Sequence, residues 1–575
     1  MEQGGWRLDT DASGRILSLR RGTLELVPPG SGDNRPRLTG PGTLESDVDL
    51  LPLDGGGAVL RQTLTLRTTG GNTSAVRIDV PRCAHLPLEN RREFYPMKDG
   101  VARREALSAG ESLYEFAGAN TGAVERQLAM PLISQSAASS NVRITLCSDV
   151  DFLTCFGETV HWEYAEGVPR REREVRRVYT CLHPGGEDSA IRAFHATALC
   201  EVPAGPAWLH DIAMVDYDFL SATGRGWFAD IDTLEKVVAP ADRGKVLLAL
   251  HGWYDFCGRY SFDFRAQALD RKWLAFPNAQ APEFQKLAER PDNGNAYHWA
   301  AADIRALKPV EMTLADMHGR IQYAKSRGFR VALYFADGLN ACDGIPGYDA
   351  AKVMRWGGWT GPETRGKSFC LNPVHPEVPA FFKAYLAALL EAYGREVDAF
   401  VWDETFHAQA SDLGAGDYRG YAARAMMELV RDLTLMTGKH RRELAFLASD
   451  DVGLVAGYRA PYALCAHGTY QDSSCAPIGW PYGLFPNIRN TLWSCNWAPH
   501  KAFNRTRYGV EIFDVPVAIS NGYAEDLGVS EMTIDQLRPI LELFAARKQR
   551  RMEITWIEES GGSRTYRGRP VTGAV

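Results

Sequence analysis

The sequence predicts a multidomain chain: an N-terminal antiparallel β-sandwich followed by a (β/α)8 TIM barrel. Three observations carry this expectation. The length, 575 residues, exceeds what one hydrophobic core holds, since domains usually run to about 100–250 residues. From Trp6 to about Trp227, short runs alternate apolar and polar residues, and clusters of Gly, Pro, Asn and Asp separate them. After about Asp232, continuous apolar runs alternate with stretches of helical period, the pattern of a parallel sheet wrapped in helices. The expected division is 1–235 for the sandwich, 236–550 for the barrel and 551–575 for a short C-terminal strand or tail.

In the first region, Arg15–Leu19, Ala58–Leu66 and Val142–Leu146 show the alternation of half-buried strands. Val237–Gly244 reads as the linker to the second region. There, Val246–Leu250 is a continuous apolar strand. Met312–Arg327 is helical, with Leu314, Met317, Ile321 and Ala324 on one face and Gly328 closing it. Phe329–Phe335 is the next strand. His375-Pro376-Glu377 opens a helix with the stripe Val378, Phe381, Phe382, Tyr385, Leu386, Leu389 and Tyr393, and Gly394 ends it. A strand through Trp402, a helix from about Asp417 to Thr437 capped by Gly438, and strands at Glu443–Leu447, Tyr462–Cys465 and Val515–Ile519 follow. A helix from about Glu531 to Arg547 closes the series. Between Phe256 and Lys308 the pattern places no second strand.

The composition is that of a globular protein, 45% hydrophobic and 23% charged, with a formal net charge of -7. Mild acidity gives no electrostatic reason to bind nucleic acid or an anionic membrane. The basic clusters Arg170–Arg173 and Arg547–Arg551 read as solvated surface. No apolar run reaches the roughly 18–20 residues of a membrane span, and Met1–Trp6 lacks the basic and apolar regions of a signal peptide. The 11 cysteines are scattered and odd in number, which suits reduced thiols and a cytoplasmic location, although a secreted chain trimmed of its leader would look alike. No CxxC or HExxH spacing occurs, so neither a metal nor a cofactor is expected. A homo-oligomer is compatible with this composition.

Chemistry-bearing residues concentrate just past the expected barrel strands, where such folds keep their active sites. In chain order they are His251, Trp253 and Asp255; Asp337; Trp402, Asp403, Glu404 and His407; Asp450 and Asp451; then His467 and Asp472. The run Val397–Val401 ends abruptly in Trp402-Asp403-Glu404. Asp403 therefore reads as a catalytic carboxylate, with its neighbour Glu404 as the rival, against the plainer reading of a helix-capping acidic pair. Cleaving a glycosidic bond takes two carboxyl groups, one ionised beside the anomeric carbon and one protonated beside the leaving oxygen. It also takes aromatic faces for the sugar rings; Trp253, Tyr254, Trp356, Trp359, Trp402 and Trp480 are candidates, though buried aromatics are more often core.

The segment His375-Pro376-Glu377-Val378, its helix, and Val397-Asp398-Ala399-Phe400-Val401-Trp402-Asp403 resemble the region around the fourth barrel strand of TIM-barrel retaining α-glycosidases of the α-galactosidase and α-glucosidase type. Leu333-Tyr334-Phe335-Ala336-Asp337-Gly338 is similar to the preceding strand of that group, and a large β-sandwich ahead of the barrel fits it too. The residue match covers about Gly328 to Asp403. The resemblance implies that Asp403 is the nucleophile and that the general acid is an Asp after strand six. Asp472 is nearest to that place, without the group's Ser-Asp motif; Asp450 and Asp451 are the rivals. The α-amylase type fits less well, because Val401 stands where its Arg belongs, and Val401 and Thr405 break the acidic series of the chitinase type. The resulting expectation is a retaining glycosidase acting on an oligo- or polysaccharide. A carbohydrate-binding protein on an inactive barrel, and a metal-assisted hydrolase using Asp337, Asp403, Glu404 and His407, are the alternatives.

Overall fold

The computed structural model describes, apart from breaks of at most ten residues, 1–253, 305–342, 368–403, 421–448 and 529–546. It also describes 282–289 and the short strands Trp273–Ala275, Tyr462–Ala463, Arg489–Asn490, Leu492–Trp493 and Val517–Ser520, with Met552–Ser560 and Ser563–Pro570 near the end. The chain forms two compact units. One comprises Met1–Val202, Gly414–Arg424 and Thr555–Arg567; the other comprises Pro203–Leu413, Ala425–Ile554 and Gly568–Val575.

The first unit is built from antiparallel sheets. One has seven strands in the order Ala102–Arg103, Arg91–Pro96, Leu132–Ala137, Arg143–Ser148, Arg173–His183, Gly57–Arg67 and Thr43–Leu53. A second has five, with Thr159–Tyr164 paired to Val76–Pro81 along their length. The expected strands at 15–19, 58–66 and 142–146 are present as Ile16–Arg21, Gly57–Arg67 and Arg143–Ser148. Alternation governs burial where one face is covered: Val76, Ile78 and Val80 are buried while Arg77 and Asp79 between them are partly open and bond each other at 2.8 Å. The edge strand Thr43–Leu53 instead carries Glu45, Asp47 and Asp49, charges that discourage another chain from pairing there.

The second unit carries a parallel sheet. Met214–Phe219 pairs with Val246–His251, which pairs with Arg330–Asp337, then Ala399–Asp403, Ala445–Ala448, Tyr462–Ala463 and Arg489–Asn490. On its other side Met214–Phe219 pairs with Val517–Ser520, and that with Leu492–Trp493, again parallel. The two terminal segments of this order, Arg489–Asn490 and Leu492–Trp493, are separated in the chain only by Thr491. Every residue of Val246–His251 and of Ala445–Ala448 is buried, as strands covered on both faces require. Helices follow the strands. Leu314–Lys325 starts at a Thr313/Asp316 capping box, in which each side chain accepts the other's backbone N–H. Glu377–Tyr393 buries Val378, Phe382, Tyr385, Leu386, Leu389 and Tyr393, most of the expected stripe.

Several details differ from the expectation. The strand sought between residues 256 and 308 is not needed for pairing, because Val246–His251 lies directly beside Arg330–Asp337. In that interval Trp273–Ala275 pairs antiparallel with Val310–Met312, as a separate two-stranded sheet. The parallel sheet instead takes in Met214–Phe219, ahead of residue 236. Val237–Gly244 completes the helix Trp227–Val237 and the 3₁₀ turn Pro240–Lys245, and Arg243 donates to the carbonyls of Glu235 and Arg327 at 2.8 and 3.2 Å. Gly438 does not end its helix, which runs over Tyr421–His440. Gly328 has φ +92°, the left-handed conformation that ends a helix at little cost for glycine. Gly394 has ordinary helical φ; space is what it supplies, since a Cβ would meet the Leu390 carbonyl at 2.6 Å and His440 Nε2 at 2.8 Å.

Candidate active site at the ends of the parallel strands

Because the strands of the second unit's large sheet run parallel, their C-terminal residues share one edge of it. His251, Asp337 and Asp403 are each the last residue of a strand there. Asp337 and Asp403 are register partners on neighbouring strands, which places their backbones about 4.8 Å apart. This levelling is not automatic. The register runs Tyr334 with Val401, then Ala336 with Trp402, so Phe335 is an extra residue.

His251 is buried, 3% exposed, and its ring meets the Tyr334 ring at a centroid distance of 3.8 Å and 62°. Trp253 is fully buried two residues on. Its Nε1 donates to the Tyr334 carbonyl at 3.1 Å, and its own carbonyl accepts from Trp273 Nε1 at 2.8 Å. Trp253 also stands edge-on to Trp273 and Tyr393, at 6.3 and 5.7 Å. Burial, with Glu396 nearby, pushes the Tyr393 hydroxyl well above the usual phenol range. The end of Val246–His251 and the chain leaving it are thus pinned to Arg330–Asp337 by an indole–carbonyl bond and by the edge-on contact of His251 with Tyr334.

Trp402 is fully buried, stacked on Phe382 at 5.4 Å and edge-on to Phe335 and Phe446 at 5.5 and 6.0 Å. It stands in the aromatic layer between the strands and the helix Glu377–Tyr393. Asp255, Glu404, His407, Asp450, Asp451, His467 and Asp472 lie outside the described residues. So do Tyr254, Trp356, Trp359 and Trp480. Among the described residues no group of three or more His, Cys, Asp or Glu side chains is placed to hold a metal ion, and no helix is long and apolar enough to cross a membrane.

Sequence reasoning did not single out Tyr334, Phe335 or Asp216. Asp216 is a carboxylate 2% exposed within Met214–Phe219, level with Leu248 and Ile519. The signal for it was an acidic residue inside an apolar-flanked run; the alternation of Met-Val-Asp-Tyr-Asp-Phe hid it by resembling a half-exposed strand.

The opposite edge holds a different kind of carboxylate. Asp398, 6% exposed, precedes the strand of Asp403. Its Oδ2 accepts from Lys325 Nζ at 2.6 Å and from the Val331 N–H at 2.9 Å, and its Oδ1 accepts from Arg330 Nη1 at 3.2 Å. This cluster ties the starts of two neighbouring strands to the preceding helix.

No family model matches the sequence, and no curated protein matches it. Solved structures do match in fold. The GH36 alpha-galactosidase AgaB from Geobacillus stearothermophilus superposes with a TM-score of 0.50 at 11% identity, over 95% of this chain and 75% of that one. A variant of the GH36 alpha-galactosidase AgaA from the same organism, in complex with 1-deoxygalactonojirimycin, has a TM-score of 0.50 at 11% identity, over 90% and 74%. At this identity the likeness is one of fold.

Proposed function

We propose that this chain is a glycoside hydrolase that cleaves O-glycosidic bonds of an oligo- or polysaccharide with retention, and that its substrate is an α-glycoside. The observation that carries the reading is the placing of Asp337 and Asp403, level with each other at the C-terminal edge of a parallel sheet, the edge at which α/β barrels hold their chemistry. The fold likeness to two alpha-galactosidases supports the same substrate class.

In this proposal the parallel sheet closes through 489–493, whose two halves pair with opposite ends of the strand order, giving a (β/α)8 barrel. The antiparallel sheets of the first unit form a β-sandwich. The division at 1–235 and 236–550 then moves ahead of Met214, since that strand belongs to the barrel. Asp403 attacks the anomeric carbon and forms a glycosyl ester as the glycosidic bond breaks. The general acid, Asp472 with Asp450 and Asp451 as rivals, gives its proton to the leaving oxygen. The same group then takes a proton from the water that hydrolyses the ester. Asp337, Glu404, Asp255, His251, His407 and His467 supply hydrogen bonds to sugar hydroxyls, while Trp253, fully buried, offers no face to the sugar and instead holds the chain leaving Val246–His251. Trp402 braces the strand from behind.

A panel of nitrophenyl α- and β-glycosides, with the anomer of the first-formed product read by NMR, tests the reading. Turnover of an α-glycoside with an α-configured first product is the expected result. Turnover restricted to β-glycosides, or an inverted product, would refute the retaining α-glycosidase.

A further inference from the structure

We infer that Phe335 is a positioning residue, whose bulge sets Asp337 level with Asp403; this rests on the glycosidase reading above. Up to Tyr334 the third and fourth strands pair residue for residue, Ala332 with Ala399, Leu333 with Phe400, Tyr334 with Val401. Continued without interruption, Phe335 would face Trp402, Ala336 would face Asp403, and Asp337 would overshoot by one residue, about 3.3 Å. The extra residue takes up that length, so that Ala336 pairs with Trp402 and Asp337 with Asp403.

Bulges are uncommon between parallel strands, and they recur beside active sites, where they re-aim a side chain. This one is anchored. Phe335 is fully buried, and its ring lies 5.1 Å from Tyr385, 5.4 Å from Phe446, 5.5 Å from Trp402 and 6.2 Å from Phe382. Side chains alternate across a regular strand. Phe335 and Ala336 break that rule: Phe335 reaches the Trp402 ring, and Ala336 is Trp402's register partner. Burying a phenyl ring among four others offsets the strand hydrogen bonding lost at the bulge, so the apolar layer holds an irregularity whose effect falls two residues later, at Asp337.

The test compares Phe335→Ala with Phe382→Ala. Both empty the same aromatic layer, but only the first removes the anchor. Stability, kcat and KM on the best nitrophenyl glycoside, and the 330–337/399–403 register in a crystal structure are measured for each. Similar losses of stability are expected. Only Phe335→Ala should slip in register and lose kcat, on the order of 10²-fold for a displacement of an ångström or more, with KM changed far less. Phe335→Leu, which keeps an apolar anchor, should recover most of the rate. Should Phe335→Ala not fold, Phe335→Val is read in its place. Equal kcat losses in the two alanine variants, or a Phe335 variant with Asp337 still opposite Asp403, would overturn the proposal. Should the wild-type chain turn over no glycoside, the glycosidase reading fails by itself, and the register alone decides: slippage supports the role of Phe335, and an unchanged register refutes it.

Discussion

Replacing Asp398 with alanine should destabilise the parallel-sheet unit by about 3 kcal/mol while leaving the proposed chemistry untouched. The carboxylate is 6% exposed and accepts from the Val331 N–H, Lys325 Nζ and Arg330 Nη1. Removing it strands a buried backbone donor, which costs about 1–3 kcal/mol. It also leaves two cations without their counter-ion. Breaking a fully buried pair costs about 3–5 kcal/mol. The Lys325 and Arg330 side chains are 30% and 28% exposed and can turn toward water, which favours the lower end. Asp398→Asn keeps an acceptor for Val331 and should cost roughly half as much. Urea unfolding at neutral pH, followed by tryptophan fluorescence, reads both. Asp398 precedes the strand and Asp403 ends it, so kcat of the folded variants should stay within about twofold of wild type. A loss below about 1 kcal/mol for Asp398→Ala, or equal losses for both variants, would refute the reasoning.

Trp402→Ala should cost about 3–5 kcal/mol, the range for emptying a buried aromatic site, and Trp402→Phe clearly less; thermal unfolding compares them. His183 is 4% exposed, and burial pulls its pKa down to about 4 from 6.5. The unfolded chain then binds the proton more readily, so stability from this group is intact above pH 6.5 and falls as pH drops toward 4, by an order of 3 kcal/mol in all. His183→Gln should flatten that slope in unfolding curves taken across pH 4–7, and an unchanged slope would contradict the assignment. Burial raises the Cys83 thiol to about 11, so iodoacetamide at pH 8 should leave Cys83 unmodified in the native protein and label it in urea, as peptide mass mapping would report.

The sequence reached furthest where one residue pattern has one physical solution. Val246–His251, Arg330–Asp337 and Ala399–Asp403 each combine an apolar run with an abrupt polar end, and the parallel pairing puts those ends on one edge. Met214–Phe219 fell within the stretch read as alternating sandwich strands, because its two aspartates give it the alternation of a half-exposed strand, although Asp216 is buried and the strand pairs in the parallel sheet. The bulge at Phe335 had no local signal at all, since it exists only relative to the register of another strand. The direction of Trp402 was equally hidden: a tryptophan beside an acidic strand end suits a sugar face and a helix-covered layer alike, and only the rings of Phe335, Phe382 and Phe446 decide between them. Glycines were legible only in part: Gly328 and Gly394 stand at helix ends as expected, whereas Gly438 lies inside its helix. Gly394 ends its helix as expected, for lack of room beside Leu390 and His440.

The central claim is that Asp403 is the nucleophile of a glycosidase, and turnover by Asp403→Asn tests it most directly. The variant removes the charge and keeps the volume. On the best nitrophenyl glycoside of the wild-type protein, kcat should fall by about 10⁴-fold or more, with the unfolding transition unchanged. A folded variant that keeps a tenth or more of the wild-type kcat would contradict the account.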